Sequence, residues 1–236
     1  MAVFQQGMVG TIGGGHLEFQ ALAQARQPWA GGTRQAVVRY ALGPSLGQCC
    51  GGEVHLQFER VTAQDVARLE ARLVLPGAPV ALFGGGHVGH ALVKVLGQLP
   101  VAVHWVDSRD EVFPEEVPGN VVCEHSDPVQ AAVASLAAGA QVLIMSFSHA
   151  EDLEVVAACL VRQRLQGDLP YIGLIGSRTK WATFQHRLAA RGFSPEELAH
   201  VTCPIGVPGI GGKAPEVIAV AVAAQLLQNL PAQPGD

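Results

Sequence analysis

Residues 79–107, PVALFGGGHVGHALVKVLGQLPVAVHWVD, restrict this chain to very few folds. An apolar run over 80–83 predicts a buried strand; Gly84, Gly86 and Gly89 form G-x-G-x-x-G; and Ala91, Leu92, Val95 and Leu96 recur at helical spacing. A second apolar run closes on Asp107. Strand, glycine turn, helix, strand and acid in that order make the dinucleotide-binding βαβ pattern, so a Rossmann-like α/β fold is expected. Gly84 permits the tight turn, Gly86 lets backbone approach a phosphate, and Gly89 lets helix and strand pack closely. The helix start offers N–H groups and a partial positive charge, so an anion belongs at Gly86. Asp107 is expected to accept hydrogen bonds from a ribose or other diol, and its charge favours NAD-like over NADP-like groups. A Rossmann-type domain that takes a different phosphate-bearing molecule fits the same residues.

Downstream, apolar runs over 120–123, 141–145 and 171–175 alternate with helical patterns over 128–137, 151–165 and 180–191. This predicts a doubly wound parallel sheet with helices on both faces and ligands at the carboxyl ends of its strands. Two loops at such ends carry candidates. Ser146-Phe147-Ser148-His149 leads to Asp152; His149 reads as an acid/base oriented by Asp152, or Ser148 caps a helix whose dipole Asp152 favours. Gly176-Ser177-Arg178-Thr179-Lys180 combines a glycine turn, an N-cap and two cations, either an anion clamp or a solvated face. The 203–213 loop is not a P-loop, because Val207 stands where the first glycine is required and Ala214 replaces the hydroxyl. Pro215 opens a last helix, apolar on most faces over 217–227 and expected to be buried.

The break at 75–79 separates this Rossmann domain, expected over 79–230, from a smaller α+β segment over 1–75. A strand over 9–12, with nothing before it to cover its edge, feeds the turn Gly13-Gly14-Gly15 and a helix over 17–26. The turn either cradles an anion on its N–H groups or simply joins strand to helix. Strands are expected over 35–41 and 54–58 and a helix over 63–73. Between the strands lies Cys49-Cys50-Gly51-Gly52, without C-x-x-C spacing. One exposed thiolate there would be a soft metal ligand or sulfur acceptor; the alternative is a buried cysteine beside an incidental thiol. With 236 residues, 49% of them apolar, both segments have material for a core. A net charge of -5 without a clustered basic face argues against a nucleic-acid partner. The 217–230 run, interrupted by Gln225, Gln228 and Asn229, falls short of the roughly 20 apolar residues that span a bilayer, so no membrane association is expected. Five cysteines, scattered apart from one adjacent pair, form no disulfide framework and suit the cytoplasm.

Several motifs in sequence order carry a family resemblance: Gly10-Thr11-Ile12-Gly13-Gly14-Gly15, Gln48-Cys49-Cys50-Gly51-Gly52, Gly85-Gly86-His87-Val88-Gly89 and Trp105-Val106-Asp107-Ser108-Arg109. Tyr171-Ile172-Gly173-Leu174-Ile175-Gly176-Ser177-Arg178 and Cys203-Pro204-Ile205-Gly206 continue it over most of the chain. Together they resemble the XdhC/CoxI family, accessory chaperones of xanthine dehydrogenase and related molybdenum hydroxylases. The resemblance implies a protein without catalytic residues that binds the molybdenum cofactor (molybdopterin) and holds it while the metal gains a sulfido ligand. It then inserts the cofactor into the apo-hydroxylase, with a cysteine desulfurase as a further partner. It implies cofactor-binding roles for Gly13, Gly14, Gly15, Cys49, Cys50, Gly84, Gly86, His87, Gly89, Asp107, Arg109, Asp152, Ser177 and Arg178, with Cys49 and Cys50 near the molybdenum. The chain departs from the family at its start, where a further helix, strand and loop are usual, so an incomplete first segment and a homodimer are expected. It departs again at Ser148-His149-Ala150-Glu151-Asp152, where Asp152 is the counterpart of the family's acid. The competing expectation is an NAD-dependent oxidoreductase with His149 as acid/base, or an NAD-sensing module. The Cys-Cys-Gly-Gly turn favours the chaperone, because hydride transfer has no use for it.

Overall fold

A computed structural model describes residues 1–28, 34–42, 52–73 and 77–230, and the chain divides into two compact units, Met1–Val74 and Leu75–Asp236. In the first unit β1 (Ala2–Phe4) and β2 (Gly7–Val9) form a hairpin, followed by helix α1 (Gly15–Arg26). The strand expected over 9–12 therefore ends at Val9, and β1 covers the edge that was expected to be open. Three consecutive glycines, Gly13, Gly14 and Gly15, hold φ of 111°, 75° and 70°, a region closed to most side chains, so the strand cannot continue through them. A second antiparallel pair, β3 (Gln35–Leu42) and β4 (Gly52–Glu59), precedes helix α2 (Val66–Leu73). Strict alternation along β3 leaves every second side chain exposed. The Cys49-Cys50 turn between these strands lies outside the described residues.

The second unit is a doubly wound α/β fold with a fully parallel six-stranded sheet. Its strands are β5 (Ala78–Phe83), β6 (Val101–Asp107), β7 (Val121–His125), β8 (Gln141–Ile144), β9 (Tyr171–Leu174) and β10 (Val201–Thr202). Their order, β10-β9-β8-β5-β6-β7, puts β5 in the middle, with the chain winding first to one side and then to the other. Both neighbours of β5 run parallel to it, so Phe83 lies between Val106 and Ile144. Helices α3 (His87–Leu96) and α7 (Pro215–Gln228) cover one face, where Leu92, Leu96, Val222 and Leu226 bury against Leu82, Trp105 and Leu143. The other face packs under α4 (His149–Gln166), α5 (Arg178–Ala190) and the short α6 (Pro195–Leu198), with Val156, Leu160, Leu188 and Leu198 against Phe83, Ile144 and Leu174.

Three details depart from expectation. The segment over 128–137 is a 3-10 helix, Val129–Ser135, opened by Pro128 and too short to cover the whole β6–β7 face. A cavity of about 340 Å³ remains there, lined by Ala81, His104, Val122 and Leu136 at the amino-terminal part of the sheet. Helix α7 is not buried all round, since Val220 is 51% and Leu227 41% exposed. The two-residue β10 and α6 lie in stretches too short to show a period. Among the described residues no helix is long and apolar enough to cross a membrane.

Candidate functional site

The chain leaves β5 toward β6 and later returns to β8 on the other side, so the loops after β5 and β8 diverge, and it is at such a point, at the carboxyl ends of the strands, that open sheets of this kind form their ligand crevice. Gly84 and Gly89 give that crevice its floor. Gly84 has φ of 123°, and a Cβ there would lie 2.0 Å from the Met145 carbonyl oxygen. A Cβ on Gly89 would lie 2.2 Å from the Gly84 oxygen, which also accepts the Trp105 indole N–H at 3.0 Å. Gly86 differs from both. It stands before the first residue of α3, no side chain caps the helix, and a Cβ built on it meets no atom within 4 Å. This helix start is where backbone N–H groups face open space, with His87 exposed beside it.

Asp107 corrects the expectation that it waits for a diol. It is 1% exposed, and its carboxylate already accepts four hydrogen bonds. Oδ2 accepts from the Gly85 N–H at 2.6 Å and from Arg109 Nη2 at 2.9 Å; Oδ1 accepts from Arg109 N and Nε, each at 2.9 Å. Burial pushes the carboxyl up, but the Arg109 guanidinium and the Gly85 and Arg109 N–H groups outweigh it and hold it below the usual carboxylate range. Asp107 is thus the internal counter-ion of Arg109 and the tether of the glycine turn. Arg109 in turn lies over the Phe147 ring, 4.3 Å from its centroid. Glu151 ties these loops together, accepting from Ser108 Oγ at 2.7 Å and from the Phe147 N–H at 3.1 Å.

Asp152 corrects a second expectation. Ser148 does cap α4, accepting from the Glu151 N–H at 3.2 Å, but Asp152 does not orient His149. Its Oδ1 accepts from the Ser146 N–H at 2.7 Å and its Oδ2 from Lys180 Nζ at 2.6 Å, while His149 sits edge-on to Phe184. Lys180 also donates to the Ile175 carbonyl at 2.8 Å, so it belongs to a buried pair and is no half of an open anion clamp. The remaining cation of that loop, Arg178, is exposed and has no ion pair among the described residues. Ser177 caps α5 by accepting the Lys180 N–H at 3.1 Å. Cys203 lies alongside, and burial raises its thiol pKa, with Lys180 lowering and Asp152 raising it. One polar group in the crevice is left over: Ser146 Oγ is buried without a hydrogen-bond partner.

In the first unit the turn expected to cradle an anion has its own carboxylate. Glu18 of α1 accepts from Thr11 Oγ1, from the Ile12 N–H at 2.9 Å and from the Gly14 N–H at 3.2 Å. These bonds hold Glu18 below its ordinary pKa, the Thr11 hydroxyl first among them. Gly13, Gly14 and Gly15 thus supply the backbone shape of an internally satisfied turn. Cys49 and Cys50 fall outside the described residues, and among the described residues no group of three or more His, Cys, Asp or Glu is placed to hold a metal ion.

Gly84, Gly86, His87, Gly89, Asp107, Arg109 and Asp152, with Ser177 and Arg178, thus lie at the carboxyl ends of the strands of one sheet, in strand ends, loops and the first turns of the helices that follow. Sequence reasoning missed Phe147, Glu151 and the Asp152–Lys180 pair. Only Phe147 carries a local signal, as a large apolar side chain between two serines in a loop after a strand.

Comparison with known proteins supplies the remaining observations. The XdhC Rossmann domain matches residues 80–226, and the XdhC and CoxI family matches residues 1–41. The uncharacterized protein YqeB of Escherichia coli (strain K12) is 29% identical over 97% of this chain, which spans only 39% of that relative's length. A crystal structure described as a xanthine dehydrogenase from Bacillus halodurans superposes with a TM-score of 0.73 at 20% identity, covering 96% of this chain and 84% of that one. At that identity the likeness speaks for the fold.

Proposed function

Because the chain belongs to the XdhC family, we propose that it is an accessory protein that binds the molybdenum cofactor and passes it to xanthine dehydrogenase or a related molybdenum hydroxylase. The observation that carries this reading is the open, uncapped start of α3 at Gly86 in a crevice with an orphaned hydroxyl, Ser146 Oγ. A phosphate fits the first, since helix N–H groups and the dipole favour an anion. A polar ligand edge fits the second. The cofactor, when bound, supplies the molybdenum and dithiolene chemistry that the recipient enzyme uses. This chain's residues hold it reversibly. Gly86 leaves room for the phosphate, Arg109 presents a cation fixed by Asp107, and Arg178 adds an exposed positive charge at the next loop. A cysteine desulfurase is the partner that sulfuration during custody would require.

The NAD reading loses its main support, because the carboxylate that should accept ribose hydroxyls is committed to Arg109 and Gly85. The test is co-purification from a host replete with molybdenum cofactor. After gel filtration the protein is oxidised and assayed for fluorescent pterin, with NAD measured on the same sample. Near-stoichiometric pterin is expected. NAD without pterin would overturn the proposal in favour of a dehydrogenase or sensor.

A further inference from the structure

Phe147 is out of place by the rules that govern the rest of this unit. Aromatic side chains are the largest contributors to a core, yet this ring is 66% exposed at the carboxyl end of a strand whose preceding residues 141–145 are all buried. Its backbone is nevertheless held in place. Its N–H is held by Glu151 at 3.1 Å, Glu151 is held by Ser108 Oγ at 2.7 Å, and α4 starts immediately after it under the Ser148 cap. The cation on its face is equally fixed. Arg109 donates through Nε and Nη2 to the two oxygens of Asp107, which is 1% exposed and tethered to the Gly85 N–H, so the guanidinium plane has one orientation. Two flat groups, one aromatic and one guanidinium, are thus in contact beside the glycine turn while both remain accessible to solvent, Arg109 with 36% of its side chain exposed.

A stacked arginine and aromatic ring are the pair of side chains that grip flat heterocycles, by ring stacking and by the attraction of a cation to a π face. The geometry points to a stacking subsite: Phe147 and Arg109 form a prebuilt platform for a flat, polar bicyclic heterocycle carrying a phosphate, the phosphate being held by the α3 start at Gly86. This rests on the reading of the crevice as a cofactor site and names the part of the ligand that each side recognises. A phosphorylated pterin and a purine nucleotide share this chemistry, and the platform takes either ring by its face. Discrimination between them falls to hydrogen bonds at the ring edge.

The test uses the full chain and two probes, a 6-substituted pterin bearing a phosphomonoester and AMP, with binding read by quenching of pterin fluorescence and by calorimetry. Three variants separate the contributions. Phe147→Leu keeps apolar bulk but removes the π face, Phe147→Trp keeps a stacking ring, and Gly86→Val blocks the phosphate position. Saturable quenching by the wild-type protein is expected, weakened about fivefold or more in Phe147→Leu and retained in Phe147→Trp, because stacking on an aromatic side chain is worth about 1–3 kcal/mol per ring. Pterin affinity that Gly86→Val abolishes and Phe147→Leu leaves unchanged would overturn the platform while leaving the cofactor reading intact. AMP binding with the same dependence on Phe147, and no pterin binding, would keep the platform and sink the molybdenum cofactor assignment. Binding of neither probe to the wild-type protein would overturn both.

Discussion

Asp107→Asn is the sharpest perturbation of the crevice, because it preserves shape and removes only the charge and one acceptor. Four donors converge on the carboxylate, two on each oxygen, so whichever way the amide turns its NH₂ group meets two N–H groups that then lose their acceptor. If the amide nitrogen takes the Oδ2 position, the Gly85 N–H, on a buried residue, is left unpaired; if it takes Oδ1, the Arg109 N–H and Nε lose theirs. An unsatisfied buried donor costs about 1–3 kcal/mol, and breaking a fully buried ion pair about 3–5 kcal/mol. Arg109 has 36% of its side chain exposed and regains part of its hydration, which places the expected loss at about 2–4 kcal/mol. The assay is urea unfolding of the second unit followed by its tryptophan fluorescence at several pH values. Asp107 has its pKa depressed in the folded protein. Its charge therefore contributes fully above the unfolded carboxylate pKa of about 3.9, and the contribution disappears as pH falls through the lower folded value. The gap between wild type and variant is accordingly widest at neutral pH and closes in acid. A variant as stable as wild type at neutral pH, or a gap that persists after acidification below the folded pKa, would refute the role of Asp107 as an internal counter-ion.

Three further outcomes follow from the geometry. Gly89→Ala places a methyl group 2.2 Å from the Gly84 oxygen, so helix and strand must part, and the urea midpoint should fall by the equivalent of about 1–3 kcal/mol; an unchanged midpoint would mean that α3 packs less closely on β5. Arg162→Met removes the partner of Asp168 and the donors to the Val133 and Leu136 carbonyls, at 2.7 and 2.9 Å, from a residue 8% exposed. Thermal and urea denaturation should register a loss of about 3 kcal/mol. In the first unit, the amide resonances of Ile12 and Gly14 should titrate together with a midpoint below the ordinary glutamate value, since the Glu18 carboxylate that accepts from both has its pKa lowered. Those bonds are present above the ordinary value and lost as pH falls through the depressed one; Glu18→Gln should abolish the shared titration, and its survival in that variant would assign it to another group.

What the sequence determined by itself is the fold of the second unit and the place of its crevice. Short continuous apolar runs alternating with helical ones are the pattern of a parallel sheet buried on both faces, and glycines at Gly84 and Gly89 mark where backbone must touch backbone. These are local signals, read from spacing and from the absence of a Cβ. The occupants of each polar group were decided only by tertiary structure. Asp107 stands at the position of a ribose acceptor, yet it is spent on an arginine two residues on, because that arginine turns back once the strand ends. Lys180 looks like half of an anion clamp until α5 carries it to Asp152 of α4. Glu18 and the glycine turn it satisfies show the same thing between residues close in the chain. A carboxylate or cation is identified by its partners, and partners brought together by folding leave no periodicity in the chain. Phe147 shows the converse: its hydrophobicity predicts burial, and only the fixed arginine beside it and the crevice it borders give its exposure a physical reason.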